Sequence, residues 1–271
     1  MTRPRGGYIG HNAAPAASAY NSAASGVWTL REAESLKRAG TWPIGSIPSD
    51  PYFADITLLL RMNGANGSTT FTDLSGTPKA VVAVGNAQVS TAQSKWYGSS
   101  GLFDGGGDRL TISDAAMAVG SGNFTIEAWV YHLSLPGGIN TLWSHRPNTS
   151  SIGGALLTHT NGGLALYIAN STASSWQVLN FGVGLTLTAN EWQHIALVRD
   201  GNTIRTFVNG TAGSTTTVAT GAIGTDGAFV VMSGAASGGQ DINGYMQDFR
   251  LTKLARYTSA FSAPAGPFGL G

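Results

Sequence analysis

Apolar and polar residues alternate along most of the chain from about residue 51 onward. Phe124, Ile126, Ala128 and Val130 interleave with Thr125, Glu127, Trp129 and Tyr131. That period of two sends the two sets to opposite faces of a strand. Leu164, Leu166 and Ile168 repeat the pattern, as do Trp192, His194, Ala196 and Val198. The last set runs into Asp200-Gly201 and is followed by Ile204, Thr206 and Val208, so a hairpin is expected across Asp200–Asn202, with a further turn at Asn209-Gly210. Ile56–Leu60 is an apolar run broken only by Thr57, suited to a strand buried on both faces. Leu102–Phe103 and Leu110–Ile112 flank the turn signal Asp104–Asp108, and Phe229–Met232 and Tyr245–Leu251 complete the set. Strands at this spacing, without intervening helices, predict an all-β sandwich or barrel over residues 51–264, with 265–271 as a C-terminal tail.

Residues 1–50 are different. Arg3 to Gly26 is rich in Gly, Ala, Ser, Asn and Pro, and such a stretch buries too little apolar surface to offset its ordering entropy. An extended N-terminal arm is expected, with one short helix at about 30–39. Thr29 is a good N-cap and Glu32 stands at N3, a capping box. Leu30, Ala33 and Leu36 form a short apolar stripe, Lys37 and Arg38 suit the last turn, and Gly40 and Pro43 stop the helix. A helix this short is marginal alone. It is expected to dock, either on the same chain's sandwich or on another subunit. Trp28, Leu30, Leu36 and Trp42 are the candidate partner-docking residues.

Composition narrows the classes. Charged residues are 11% and glycines number 38, which suits many tight turns and not a helical bundle. The net charge is +1, from 15 basic and 14 acidic residues without a basic block, so neither nucleic acid nor an anionic membrane surface is expected as a partner, and with no stretch of about 18 apolar residues no membrane insertion is expected. There is no cysteine, hence no disulfide or thiolate metal site. The N-terminus lacks the apolar core of a signal peptide. Synthesis in a host cytoplasm and release by lysis are the expectation.

Three stretches carry a family resemblance: GLFDGGGDRLTISDAAMAVGSGNFTIEAWVY at 101–131, LTANEWQHIALVRDGNTIRTFVNGT at 187–211 and INGYMQDFRLTKLARYTSAFSAP at 242–264. Together they resemble the laminin-G-like domain of the concanavalin-A-like lectin/glucanase superfamily. The resemblance implies a jelly-roll β-sandwich of two antiparallel sheets. In the arm, YIG near the start and GVWTLREAESLKRAGTWP at 26–43 are similar to leaders of tailed-bacteriophage virion proteins. This implies an arm anchored on a particle and a sandwich displayed outward.

The superfamily includes glucanases, whose retaining chemistry needs two carboxylates roughly 5 Å apart. Here Glu127 has Thr125 and Trp129 two positions away, so it is expected to be structural and the chain not to be an enzyme. Histidines 11, 132, 145, 159 and 194 show no metal-ligand spacing, and His194 is expected to be a packed, hydrogen-bonded strand residue. Related domains often bind Ca²⁺ at the sandwich edge. Asp104, Asp108, Asp241 and Asp248 are the available carboxylates, but Gln247 stands where the family often has Asp, and no cofactor is assigned. Saccharide binding would use exposed aromatics. Trp143, His145, Arg146, Tyr167, Trp176, Trp96 and Tyr97 are candidates that the sequence alone does not sort.

Two functions fit. The first is a non-enzymatic virion structural protein, a capsid decoration, head-fibre or tail-appendage subunit on the virion surface. It would be anchored to other virion proteins through residues 1–50 and be homo-oligomeric. The second is an adhesin that recognises host-surface glycan through the sandwich.

Overall fold

The computed structural model describes residues 49–219 and 221–271. The expected arm, its helix, and Trp28, Leu30, Leu36 and Trp42 lie outside the described residues. Sixteen strands account for nearly all regular structure among the described residues: β1 (Ile56–Leu60), β2 (Val82–Val84), β3 (Gln88–Ser90), β4 (Ser100–Asp104), β5 (Arg109–Ile112), β6 (Phe124–His132), β7 (Asn140–Ser144), β8 (Ala155–Thr160), β9 (Gly163–Ala169), β10 (Trp176–Thr186), β11 (Trp192–Asp200), β12 (Thr203–Val208), β13 (Thr211–Ala212), β14 (Thr216–Thr217), β15 (Phe229–Val231) and β16 (Asn243–Thr252). Among the described residues, only two single-turn 3₁₀ segments, Phe53–Asp55 and Ala115–Met117, interrupt them. No helix among the described residues is long and apolar enough to cross a membrane.

The strands form two antiparallel sheets, as the alternation and the resemblance imply. A nine-stranded sheet runs β13-β12-β11-β6-β16-β4-β3, with β1 also paired to β16 and β14 to β12. A seven-stranded sheet runs β10-β9-β8-β7-β15-β5-β2. Phe124, Ile126, Ala128 and Val130 of β6 face the other sheet, where Leu157, Leu164, Leu166 and Trp143 meet them. Glu127 points to the opposite face, as expected, and all five residues of β1 are buried. The expected hairpin pairs Leu197 with Thr206 and Asp200 with Thr203. The turn after β4 does not close a hairpin. β4 belongs to the nine-stranded sheet and β5 to the seven-stranded one, so Asp104–Asp108 is a crossing between layers.

The outer face of the nine-stranded sheet is covered too. Ala196, Val198 and Phe207 lie beneath Tyr257 and Phe261 of the segment after β16. The neighbouring Ile195 and Leu197 point into the main core, so β11 is buried on both faces. The turn Asn209-Gly210 receives this segment: both residues have positive φ, 50° and 80°, and Phe261 N donates to Gly210 O at 3.0 Å. A Cβ on Gly210 would collide with the Phe261 carbonyl, so the position requires glycine for clearance as well as for φ. Farther along, Phe268 packs on Ile56, Leu59 and Trp129. Asp50 N donates to Leu270 O at 2.8 Å, within a parallel bridge of Ser49 to Leu270.

Candidate functional site

Four polar constellations emerge from this frame. The first is centred on Glu127, which is fully buried. Arg250 donates to Glu127 Oε1 through Nε and Nη2 at 3.0 and 2.7 Å. Glu127 Oε2 accepts from the Tyr257 hydroxyl at 2.9 Å and lies 3.0 Å from His194 Nε2. Burial by itself would raise the carboxyl pKa, but the Arg250 and Arg256 guanidiniums and His194 outweigh it and hold it down to about 2. Asp50 closes the cluster, accepting from Arg250 Nη1 at 2.6 Å and from Arg256 at 2.9 and 3.2 Å. A carboxylate with both oxygens occupied and no access to solvent cannot serve as a glycosidic acid or nucleophile. Glu127 is thus structural and His194 is packed and hydrogen-bonded, both as expected.

The second is a cavity of about 190 Å³ on the outer face of the seven-stranded sheet. Because Leu164, Leu166 and Ile168 of β9 point into the core, Tyr167 points out, and Leu156 pairs with it from β8. Trp176, at the start of β10, meets the Tyr167 ring edge-on with centroids 5.7 Å apart. Thr158 completes the floor. Three loops supply the wall: Ile139 before β7, Arg146 after it, and Gln240 before β16. Arg146 is nearly buried, at 5% exposure. It donates to Gly234 O at 2.6 Å, Thr149 O at 3.1 Å and Gln240 Oε1 at 2.5 Å. Gln240 Oε1 also accepts from Thr141 Oγ1 at 3.1 Å, and Gln240 sits at φ 60°.

The remaining aromatic candidates separate cleanly. Trp143 is in the core against Phe249, 6.1 Å between centroids. Trp96 packs edge-on against Trp129 at 5.8 Å, Tyr97 is buried, and His145 is buried against Phe229. Among the seven, only Arg146, Tyr167 and Trp176 come together at this cavity. The signal that could have singled out Tyr167 is its place between Leu166 and Ile168, which turns it outward. Arg146 and Gln240 carry no such signal, since they come from loops far apart in sequence.

The third is a histidine pair with no pattern in the sequence. His132 of β6 and His159 of β8 face each other between the sheets, edge-on, with centroids 4.9 Å apart. Both are buried, and no ring nitrogen of either has a hydrogen-bond partner among the described residues. Burial, reinforced by the proximity of His159, pushes His132 down to about 3, and burial pushes His159 down to about 4.

The four aspartates make up the last. Asp108 accepts from the backbone N–H of Asn86 and Asp104. Asp104 accepts from Gly106 N and Asn86 Nδ2, and Asp241 from Gly239 N. Asp248 accepts from the Tyr97 hydroxyl at 2.6 Å and from Phe268 N at 3.2 Å, and burial raises its pKa to about 7. No three acidic, His or Cys side chains among the described residues gather as a metal set. Gln247 has a positive reason to be an amide. Its Oε1 accepts from Lys95 N and Trp96 N at 2.8 Å each, and its Nε2 donates to Ser99 O, which a carboxylate could not do.

A laminin-G-type model of the concanavalin A-like lectin/glucanases superfamily matches residues 104–259. Among curated proteins, none matches the chain by sequence. Similar solved folds include the binding domain of Paraclostridial Mosquitocidal Protein 1, at TM-score 0.60 and 14% identity, over 76% of this chain and 50% of that one. The botulinum neurotoxin serotype D binding domain aligns at TM-score 0.56 and 14% identity, over 76% and 50%. The serotype D ligand binding domain in complex with N-acetylneuraminic acid aligns at 0.56 and 15%, over 76% and 49%. The chain therefore spans about half the length of these proteins, and at such identity the likeness is one of fold.

Proposed function

The chain belongs to the concanavalin A-like lectin/glucanases superfamily, and from that premise we propose that it is a non-enzymatic saccharide-binding module whose site is the cavity formed by Tyr167, Trp176 and Arg146. The observation that carries this reading is the convergence of two half-buried aromatic rings and a fixed guanidinium on one small concavity. Ring faces cover the apolar side of a sugar while a few placed polar groups fix its orientation. At about 190 Å³, the cavity is below the roughly 300–1,000 Å³ of drug-sized sites and suits a single sugar ring. The similarity in fold to toxin binding domains, one of them in complex with N-acetylneuraminic acid, is compatible with this reading.

The test is a glycan array probed with the wild type, Trp176→Ala and Tyr167→Ala. A set of glycans bound by the wild type should lose about 2 kcal/mol, roughly thirty-fold in affinity, on removal of either ring. Full retention of binding in both variants would place the site elsewhere.

We also propose that the module is carried on a virion surface by residues 1–50. Support comes from the resemblance of GVWTLREAESLKRAGTWP to phage virion leaders. The clamping of Asp50 by Arg250 and Arg256 is compatible with it, because it would hold the last residue of such an arm against the sandwich. Trp28→Ala or Trp42→Ala should cut the number of copies bound by particles lacking the protein, without unfolding the sandwich. Equal occupancy by wild type, Trp28→Ala and Trp42→Ala would refute it.

A further inference from the structure

We infer that the cavity selects acidic saccharides, taking a sugar carboxylate against Arg146 and Gln240; this rests on the reading of the cavity as a saccharide site.

The lining carries a charged donor and no charged acceptor. It contains no Asp or Glu among the described residues, whose charge would repel an anion and whose oxygens are the strongest acceptors for the hydroxyls of a neutral sugar. Arg146 has no carboxylate within ion-pair distance among the described residues, whereas Arg250 and Arg256 are both paired with carboxylates. Its three nitrogens face Gly234 O, Thr149 O and Gln240 Oε1. Nη2 makes a single bond although it carries two hydrogens. Gln240 Oε1 is held by two donors, Arg146 and Thr141. The amide is thereby oriented, and its Nε2 donates to nothing among the described residues. A planar anion seated beside Nη2 and Nε2 would accept from both and neutralise a charge that burial otherwise leaves opposed only by dipoles.

Arg199 provides the contrast. It is as buried as Arg146 and is likewise bonded only to carbonyls, of Gly201, Gly120 and Gly221. It does not line the cavity, and its bonds tie loops together. Arg146 does the same for the loops before β8 and β16, but it also faces open space flanked by aromatic rings.

The experiment uses the full chain and titrates matched probes by calorimetry: oligogalacturonate, oligomannuronate, hyaluronan fragments and N-acetylneuraminyl-lactose, each as free acid and as methyl ester. The ester changes only the ligand, so a loss of binding cannot come from misfolding. At least one acid should bind tenfold or more tighter than its ester. That preference should be weakened in Arg146→Lys, which keeps the charge without the fork, and vanish in Arg146→Gln. Equal affinity of acids and esters, with binding lost in Trp176→Ala, would overturn the acidic class and leave the saccharide site standing. Binding of neither form would overturn the acidic class, and binding of both with no dependence on Trp176 would overturn both.

Discussion

Lowering the pH from 7 to 5 should weaken the sandwich through His132 and His159, which face each other between the sheets. Each is buried neutral, with its pKa pushed to about 3 and about 4 respectively, against about 6.5 in an unfolded chain. Between those values the unfolded state binds the protons and the folded state does not, so stability falls as pH falls through 6.5 and keeps falling until the folded values are reached. Each ring costs about 1.4 kcal/mol per pH unit in that window. From 6.5 to 5 the pair accounts for about 4 kcal/mol, against a total stability of roughly 5–15 kcal/mol for a domain. Two other groups titrate nearby. His145, lowered to about 4, acts in the same direction. Asp248, raised to about 7, acts in the opposite direction, because its folded form binds the proton first. The double variant His132→Leu/His159→Leu separates the pair from both. It also removes four ring nitrogens that lack partners among the described residues, so its stability at pH 7 should equal or exceed the wild type's. The assay is urea unfolding followed by tryptophan fluorescence at half-unit pH steps, extrapolated linearly to water. The difference between variant and wild type should widen by about 4 kcal/mol from pH 7 to 5. Parallel pH profiles for the two proteins would show that the pair is not the acid-sensitive element.

Asp50→Ala leaves Arg256 without its closest carboxylate and should cost about 3 kcal/mol, the lower end for breaking a buried pair, since Arg250 keeps Glu127. For the same reason a chain lacking residues 1–48 should melt above one lacking 1–50, and identical melting temperatures would refute the clamp. Glu127→Gln should lose about 3–5 kcal/mol in chemical unfolding at pH 7. Glu127's contribution is fully present above about 4.5 and disappears as pH falls through its folded value of about 2. Neither form should release reducing sugar from β-glucan, and hydrolysis that depends on Glu127 would contradict its buried, ion-paired geometry.

The sandwich was legible because its strands follow period-two alternation. The β11–β12 hairpin came from an Asp-Gly signal between apolar runs, and the orientation of Glu127 from its place between Ile126 and Ala128. The second buried face of β11 was not legible, because it depends on a distant part of the chain: the segment bearing Tyr257 and Phe261 crosses back over that face, a contact no local pattern encodes. Tyr167 was not sorted from Trp143, Tyr97 and Trp96 by type, although its place between Leu166 and Ile168 carried the signal for the outward face. The wall of the cavity was invisible for another reason. Arg146 and Gln240 meet only through loops whose bonds to Gly234 O and Thr141 Oγ1 are set by sheet topology. The pairing of His132 with His159 is a matter of which strands lie opposite across the two layers.

The bridge between Ser49 and Leu270 is parallel, so the backbone runs into the first residue and out of the last in the same direction. Tension applied between those two points would load the Asp50–Leu270 hydrogen bond and the Asp50 ion pairs in shear, side by side, and would not peel them open one after another. Force would be borne at this seam before reaching any strand of the nine-stranded sheet. The sandwich is in that sense an in-line link between those two points, with the cavity lying on the other sheet.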